Sequence, residues 1–102
     1  MIKVMLVDDQ NLVRKGVRSL LELSDEIEVV AEAADGAEAI RMVPEVAPDV
    51  VLLDVDFGDG TMGGLEVLER IRSGESQPPV IMLSGNQHPA TVVRAIKSGA
   101  FH

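Results

Sequence analysis

Three aspartates stand directly after apolar segments of the sequence. Asp8 and Asp9 follow the run Ile2–Val7, and Asp54 follows the run Val50–Leu53. If these runs are neighbouring parallel strands, their ends lie side by side and the three carboxylates share one cleft. At about 4–5 Å and an effective dielectric near 20, each pair of ionised carboxylates repels by roughly 3–4 kcal/mol. Either protonation or a bound cation must offset that repulsion.

A hard divalent cation such as Mg²⁺ (or Mn²⁺) suits this cluster, because it prefers oxygen ligands and keeps water and phosphate oxygens in its shell. A metal-bound Asp54 can then attack phosphorus. Ser84 ends a further apolar run and can donate a hydrogen bond to a phosphoryl oxygen, while Gly85 leaves room for that group. Taken alone, Asp8 and Asp9 are more often a solvated strand end or a helix cap, Asp54 a loop acid and Ser84 a polar strand end. Their conjunction, in this order, favours a phosphoryl-accepting metal site.

Apolar runs and segments of helical periodicity alternate along the chain. The predicted strands are Ile2–Val7, Glu28–Ala33, Asp49–Asp54 and Pro79–Ser84. The predicted helices run from Leu12 to about Ser24, over Ala37–Val43 with Asp35 as a cap, from Leu65 to about Ser73, and from Val92 to a stop at Gly99. Pro44 and Pro48 are interpreted as bracketing the loop after the second helix.

This alternation predicts a doubly wound α/β fold with a parallel sheet and right-handed crossovers. The third strand is expected to be central and fully buried, because Val50–Leu53 is apolar on both faces. Ligands of such folds bind beyond the carboxyl ends of the strands, which is where the aspartates fall.

The composition of the chain argues against several classes of site and function. A chain of 102 residues favours one domain, and the absence of cysteine excludes disulfides and thiolate metal sites. The net charge of −8 argues against direct binding of nucleic acid, because a phosphate backbone repels it. No apolar run approaches the roughly 20 residues needed to span a bilayer, and the N-terminus lacks the pattern of a signal peptide. We therefore expect a cytoplasmic protein.

Several segments are similar to receiver domains of response regulators in the NarL/FixJ (LuxR)-like class. They are VMLVDDQNLVRKGVRSLLE, VVAEAADGAEAI, PDVVLLDV, GGLEVLERIR, PVIMLSG and AIKSGA, and they cover essentially the whole chain. The resemblance implies a flavodoxin-like (CheY-like) sheet with strand order 2-1-3-4. It also implies a phosphoacceptor domain of a two-component system, which receives a phosphoryl group from a sensor histidine kinase. Such a domain catalyses only its own phosphorylation and dephosphorylation, so it is not an enzyme in the ordinary sense.

The same resemblance assigns individual residues. It implies that Asp54 is the phosphoacceptor and that Ser84 is the hydroxyl that responds to phosphorylation. It further implies that Asp8, Asp9 and Asp54 hold Mg²⁺ together with the backbone carbonyl of Asp56. Gly85 would leave space for the phosphoryl group.

The chain departs from the family in two places. The loop Phe57–Gly64 is longer than usual, carries four glycines and lacks the family's Met-Pro pair, so we predict that it is the most mobile internal segment. The family's fifth strand, with its lysine, and fifth helix are absent, and Lys97 stands on the wrong element to replace that lysine. We therefore interpret residues 1–102 as a C-terminally incomplete receiver without its usual DNA-binding output domain.

Loss of those elements leads to a further expectation. The strand Pro79–Ser84 becomes an edge, and apolar surface on the sheet and on the first and fourth helices is left open. Such an edge invites pairing with another chain. We therefore expect either low stability or self-association, for example as a homodimer.

Three alternative functions are weighed against this interpretation. A pseudo-receiver that binds partners without being phosphorylated is favoured by the altered loop and the missing lysine. A haloacid-dehalogenase-like phosphohydrolase is suggested by the DxD pattern of Asp54 and Asp56, but that family has its motif near the N-terminus and has Thr or Val where this chain has Gly58. A flavodoxin would need Tyr or Trp to stack on a flavin, and neither residue occurs.

Overall fold

The computed structural model describes residues 1–54, 63–74, 78–83 and 89–98. Within these ranges strands and helices alternate as the sequence predicts. The strands are β1 (Ile2–Val7), β2 (Ile27–Ala33), β3 (Val50–Asp54) and β4 (Val80–Leu83). The helices are α1 (Asn11–Leu21), α2 (Gly36–Val46), α3 (Gly64–Arg72) and α4 (Pro89–Ser98). The predictions for the loop residues 57–62 and for Gly99 concern positions outside the described ranges.

The four strands form one parallel sheet in the order β2-β1-β3-β4. This order confirms the predicted 2-1-3-4 arrangement. The central position of β3 is also confirmed, because the side chains of Val50–Leu53 are at most 1% exposed. Because β3 is flanked by two strands and covered on both faces, water is excluded from its four apolar residues.

Two apolar cores lie on opposite faces of the sheet. Successive strand residues point to opposite faces, so β3 contributes Val51 and Leu53 to one core and Val50 and Leu52 to the other. Helices α2 and α3 cover the first core, and α1 and α4 cover the second. The result is three layers with two helices on each face of the described sheet.

The position of α4 corrects one expectation. We expected apolar surface on the sheet to lie open in the absence of a fifth helix. Instead Val92 and Ile96 of α4 pack into the core shared with α1, and the strand residues Val4 and Leu6 beneath are 0% and 3% exposed. The expectation is therefore wrong for the sheet residues beneath α4, because the apolar stripe of α4 packs on the same face of the sheet as α1 and covers them. On α1 itself apolar side chains remain exposed, with Val13 at 45% and Leu20 at 40%.

Pro44 provides a second correction. The sequence places it in a loop, but it lies inside α2, which continues to Val46. Proline removes one helical hydrogen bond and crowds the preceding turn. The helix nevertheless continues, because Ala39 and Val43 are buried on its inner face and tertiary packing outweighs local propensity. The start of α2 agrees with the prediction, since the Asp35 side chain accepts a hydrogen bond from the Glu38 N–H at 2.8 Å.

Candidate functional site

The carboxyl ends of β1 and β3 bring three acidic side chains together. Asp8 and Asp9 follow β1, and Asp54 ends the adjacent β3. Each offers a carboxylate oxygen, and these oxygens lie within 4.8 Å of one another. Asp8 is 9% exposed, Asp54 is half-buried and Asp9 is exposed, so the cluster has a buried floor and an open side. The convergence expected from the strand order is therefore found.

Asp8 is held through its amide, its carbonyl and its side chain. Its N–H donates to the carbonyl of Ala33 at 3.1 Å, at the end of β2. Its carbonyl accepts a hydrogen bond of 2.6 Å from Nη1 of Arg14, and its Oδ1 accepts one of 2.8 Å from the Gln10 N–H. The turn between β1 and α1 is thereby tied to β2 and to α1.

Burial and like charges both act on the Asp8 carboxyl. Burial raises the pKa of Asp8 above its ordinary value, and the neighbouring Asp54 and Asp9 raise it further. The Gln10 N–H and the Arg14 guanidinium lower the pKa but do not cancel the rise. A bound cation would relieve the same repulsion and favour the ionised form.

The donor set fits a hard cation. It consists of carboxylate oxygens, which match Mg²⁺ or Mn²⁺ and not the softer metals that prefer sulfur or imidazole ligands. Its exposed side leaves room for the waters and phosphate oxygens that Mg²⁺ usually retains. Three carboxylates this close repel one another, and a divalent ion bound between them would offset that repulsion.

An ion-pair network that the sequence analysis did not identify lies beside the cluster. Glu32, near the end of β2, accepts a hydrogen bond from Nε of Arg14 at 2.8 Å and another from Nη1 of Arg18. Burial alone raises the pKa of Glu32, but the hydrogen bonds from Arg18 and Arg14 outweigh it and lower the pKa below its ordinary value. In the sequence, this network could have been inferred from the spacing of the two arginines, which are four residues apart and therefore lie on one face of α1.

Lys97 lies at the opposite end of the sheet from the acidic cluster. Its Nζ is 3.7 Å from Oε2 of Glu26, which precedes the first residue of β2. Its side chain is 45% exposed, so this ion pair lies at the surface, far from the acidic cluster that the family's lysine would serve. Ser84, Gly85 and Asp56 lie outside the described residues. No helix in the described ranges has the length and hydropathy required to cross a membrane.

Comparison with known proteins gives consistent matches. A family model described as the response regulator receiver domain matches residues 4–102. The chemotaxis protein CheY of Listeria monocytogenes is 41% identical over 100 residues, which cover 98% of this chain and 82% of CheY. The transcriptional regulatory protein LiaR of Bacillus subtilis is 39% identical over 100 residues, and the match covers 98% of this chain but 46% of LiaR.

A solved structure agrees with these sequence matches. The signal receiver domain of a NarL response regulator from Mycobacterium tuberculosis superposes with a TM-score of 0.74 at 38% identity, covering 94% of this chain and 76% of that one. The chain spans less than half the length of the transcriptional regulator LiaR, so these likenesses concern one domain.

Proposed function

The chain belongs to the response regulator receiver family, and from that membership we propose that it accepts a phosphoryl group on Asp54 from a sensor histidine kinase, with Mg²⁺ or Mn²⁺ held by the acidic cluster. It is the receiver domain of a two-component response regulator. Its proposed reaction is its own phosphorylation and dephosphorylation. The proposed consequence is control of transcription, as the names of relatives such as LiaR suggest.

The observation that carries the proposal is the convergence of Asp8, Asp9 and Asp54 within 4.8 Å. A divalent cation supplies charge neutralisation there, both for the carboxylates and for the phosphoryl oxygens. Asp8 and Asp9 are the proposed ligands beside Asp54, with the Asp56 carbonyl added by family resemblance. The role of nucleophile, which the family resemblance assigns to Asp54, suits its half-buried side chain better than that of Asp8, which is almost enclosed.

The proposed transfer is a single displacement at phosphorus. A carboxylate oxygen of Asp54 forms a bond to phosphorus as the P–N bond of the donor phosphohistidine breaks, and the electron pair of that bond stays with the leaving imidazole. Ser84 would donate a hydrogen bond to a phosphoryl oxygen, and Gly85 would leave space beside it. The product is an acyl phosphate on Asp54, which water can hydrolyse.

Treatment with acetyl phosphate and Mg²⁺, followed by intact mass measurement, tests the proposal. We expect a gain of one phosphoryl group that requires the metal and is absent in Asp54→Asn. A matched control is Asp49→Asn, which changes an exposed aspartate just before β3 and should leave the gain intact. No gain in the parent chain would contradict the proposal and favour the pseudo-receiver. Repeated turnover of small phosphate esters would instead favour a phosphohydrolase.

A further inference from the structure

We propose that Arg14 is a positioning residue for the acidic cluster. Its guanidinium holds the backbone carbonyl of Asp8 and thereby sets the direction from which the carboxylates of Asp8 and Asp9 meet a cation. The inference rests on the proposed function, because cation binding is the property that the positioning serves. It assigns a role to a helix residue that does not itself bind the metal.

Arg14 uses its guanidinium on three separate acceptors. Nε donates to Oε1 of Glu32 at 2.8 Å, Nη1 donates to the Asp8 carbonyl at 2.6 Å, and Nη2 donates to Oδ1 of Asn11 at 2.7 Å. The side chain is 13% exposed. A planar group with donors in fixed directions, engaged on three sides and largely buried, has little freedom to reorient. The carbonyl of Asp8 is therefore held in place by a rigid support.

The contact with the carbonyl matters because the peptide group is planar. The carbonyl of Asp8 and the amide nitrogen of Asp9 belong to one plane, so a hydrogen bond to that carbonyl orients the link between the two aspartates. The Asp8 N–H is already fixed by Ala33 and its side chain by the Gln10 N–H. The Arg14 guanidinium adds a constraint on the peptide group that joins Asp8 to Asp9.

Arg18 offers a natural control for this role. It donates to the other carboxylate oxygen of Glu32 and to Oε1 of Glu22 at 3.3 Å. It therefore shares the anion that anchors Arg14, on the same helix and one turn further along. The side-chain hydrogen bonds of Arg18 to Glu32 and Glu22 involve no residue of the acidic cluster. Loss of Arg18 should weaken the ion-pair network while leaving the Asp8 carbonyl bound to Arg14.

The charge and the geometry of Arg14 have opposite effects on cation binding. A guanidinium beside the cluster repels a divalent cation, so removing its charge alone should strengthen binding. Loss of the support for the Asp8 carbonyl should weaken it. Arg14→Lys separates the two effects, because lysine keeps the positive charge but cannot donate to three acceptors in the fixed directions of a guanidinium.

The experiment compares the parent chain with Arg14→Lys and with Arg18→Lys. Mg²⁺ affinity is measured by calorimetric titration at fixed pH and ionic strength, and unfolding in urea verifies that each variant is folded. We expect Arg14→Lys to weaken Mg²⁺ binding about tenfold, as is usual when a residue that orients a metal ligand is changed. Arg18→Lys should stay within about twofold of the parent.

A second readout needs no metal. Hydrogen exchange of the Gln10 amide, followed by NMR, reports the hydrogen bond between that N–H and Oδ1 of Asp8. We expect faster exchange at Gln10 in Arg14→Lys and no change in Arg18→Lys.

If Arg14→Lys does not fold, Asn11→Ala replaces it, since it removes one acceptor of the same guanidinium at an exposed position. We expect this variant to weaken Mg²⁺ binding about two- to threefold.

Any outcome that differs from these expectations overturns the inference. Unchanged or tighter Mg²⁺ binding in Arg14→Lys, or in Asn11→Ala if that variant is used, refutes the positioning role and leaves the proposed function intact. Equal weakening in Arg14→Lys and Arg18→Lys means that the network merely stabilises the fold. A parent chain that binds no Mg²⁺ refutes both the inference and the metal role in the proposed function.

Discussion

Val7 of β1 lies opposite Leu53 of β3 in the parallel ladder that joins the two strands. The chain continues from Val7 to Asp8 and from Leu53 to Asp54, so this register carries two carboxylates to the same level of the sheet. A change of register by one residue would reverse the faces of all side chains of one strand, and the packed cores on both faces resist it. The acidic cluster therefore depends on the packing of the apolar residues that precede it.

The first prediction concerns the charge of Asp8. Asparagine keeps an oxygen that can accept the Gln10 N–H but removes the charge that burial and two neighbouring carboxylates disfavour. In metal-free buffer at pH 7, we expect Asp8→Asn to raise the free energy of unfolding by about 1–3 kcal/mol. Urea unfolding measures this change. Asp25→Asn, at an exposed position away from the cluster, should leave the free energy within about 0.5 kcal/mol of the parent.

The pH dependence of the same variant has a defined sign. The pKa of Asp8 is raised in the folded state, so its contribution to stability is most favourable below the ordinary value of 3.8 and is lost as pH rises through the folded pKa. The difference between parent and Asp8→Asn should therefore grow from acid towards neutral pH. Saturating Mg²⁺ should stabilise the parent more than the variant. A difference that is constant with pH would contradict the prediction.

The second prediction concerns Glu32, whose pKa changes in the opposite direction. Because its folded pKa is lowered by Arg18 and Arg14, its stabilisation is present above the ordinary value of 4.5 and is lost as pH falls through the folded pKa. We expect Glu32→Gln to lower the free energy of unfolding by about 1–3 kcal/mol at pH 7 and by much less in acid. Glu28→Gln, an exposed change on the same strand, is the control and should have little effect at either pH.

The third prediction concerns the end of α2. Ala47 has φ of 50° and ψ of 59°, in the left-handed region that costs an L-residue about 1 kcal/mol or more. Glycine adopts this conformation without that cost, so Ala47→Gly should raise stability by about 0.5–1 kcal/mol, even though glycine loses more entropy on folding. Thermal melting measures the gain. Ala37→Gly, inside the same helix, should have the opposite sign, and a loss of stability in both variants would count against the argument.

Much of the fold and of the acidic cluster can be predicted from short-range patterns in the sequence. The apolar runs before Asp8 and Asp54 define both strands, and alternation with helices fixes a parallel sheet in which those ends meet. Pro44 was misplaced because its local preference is overcome by the packing of Val43. The role of Arg14 was missed because helical spacing shows which residues share a face but not which distant group that face meets.

Helical spacing also left the position of α4 undetermined, and that position leads to the last prediction. The spacing of Val92 and Ile96 predicts an apolar stripe, but a stripe does not specify which face of the sheet it covers. In the structure, Ile96 is 0% exposed and packs in the core with Leu21 of α1. Truncation to alanine would leave a cavity between α4 and the sheet, so Ile96→Ala should lower the free energy of unfolding by about 2–5 kcal/mol.

Leu65 is the matched control for Ile96, because it is a large aliphatic residue near the start of α3 that is 70% exposed. Leu65→Ala should change the free energy of unfolding by less than about 0.5 kcal/mol. Both variants are compared with the parent by urea unfolding. NMR of the methyl groups adds a test of location, since Ile96→Ala should shift the methyl resonances of Leu21 more than those of Val67 in the opposite core. The reverse pattern, or equal stability of the two variants, would show that α4 does not pack beside α1.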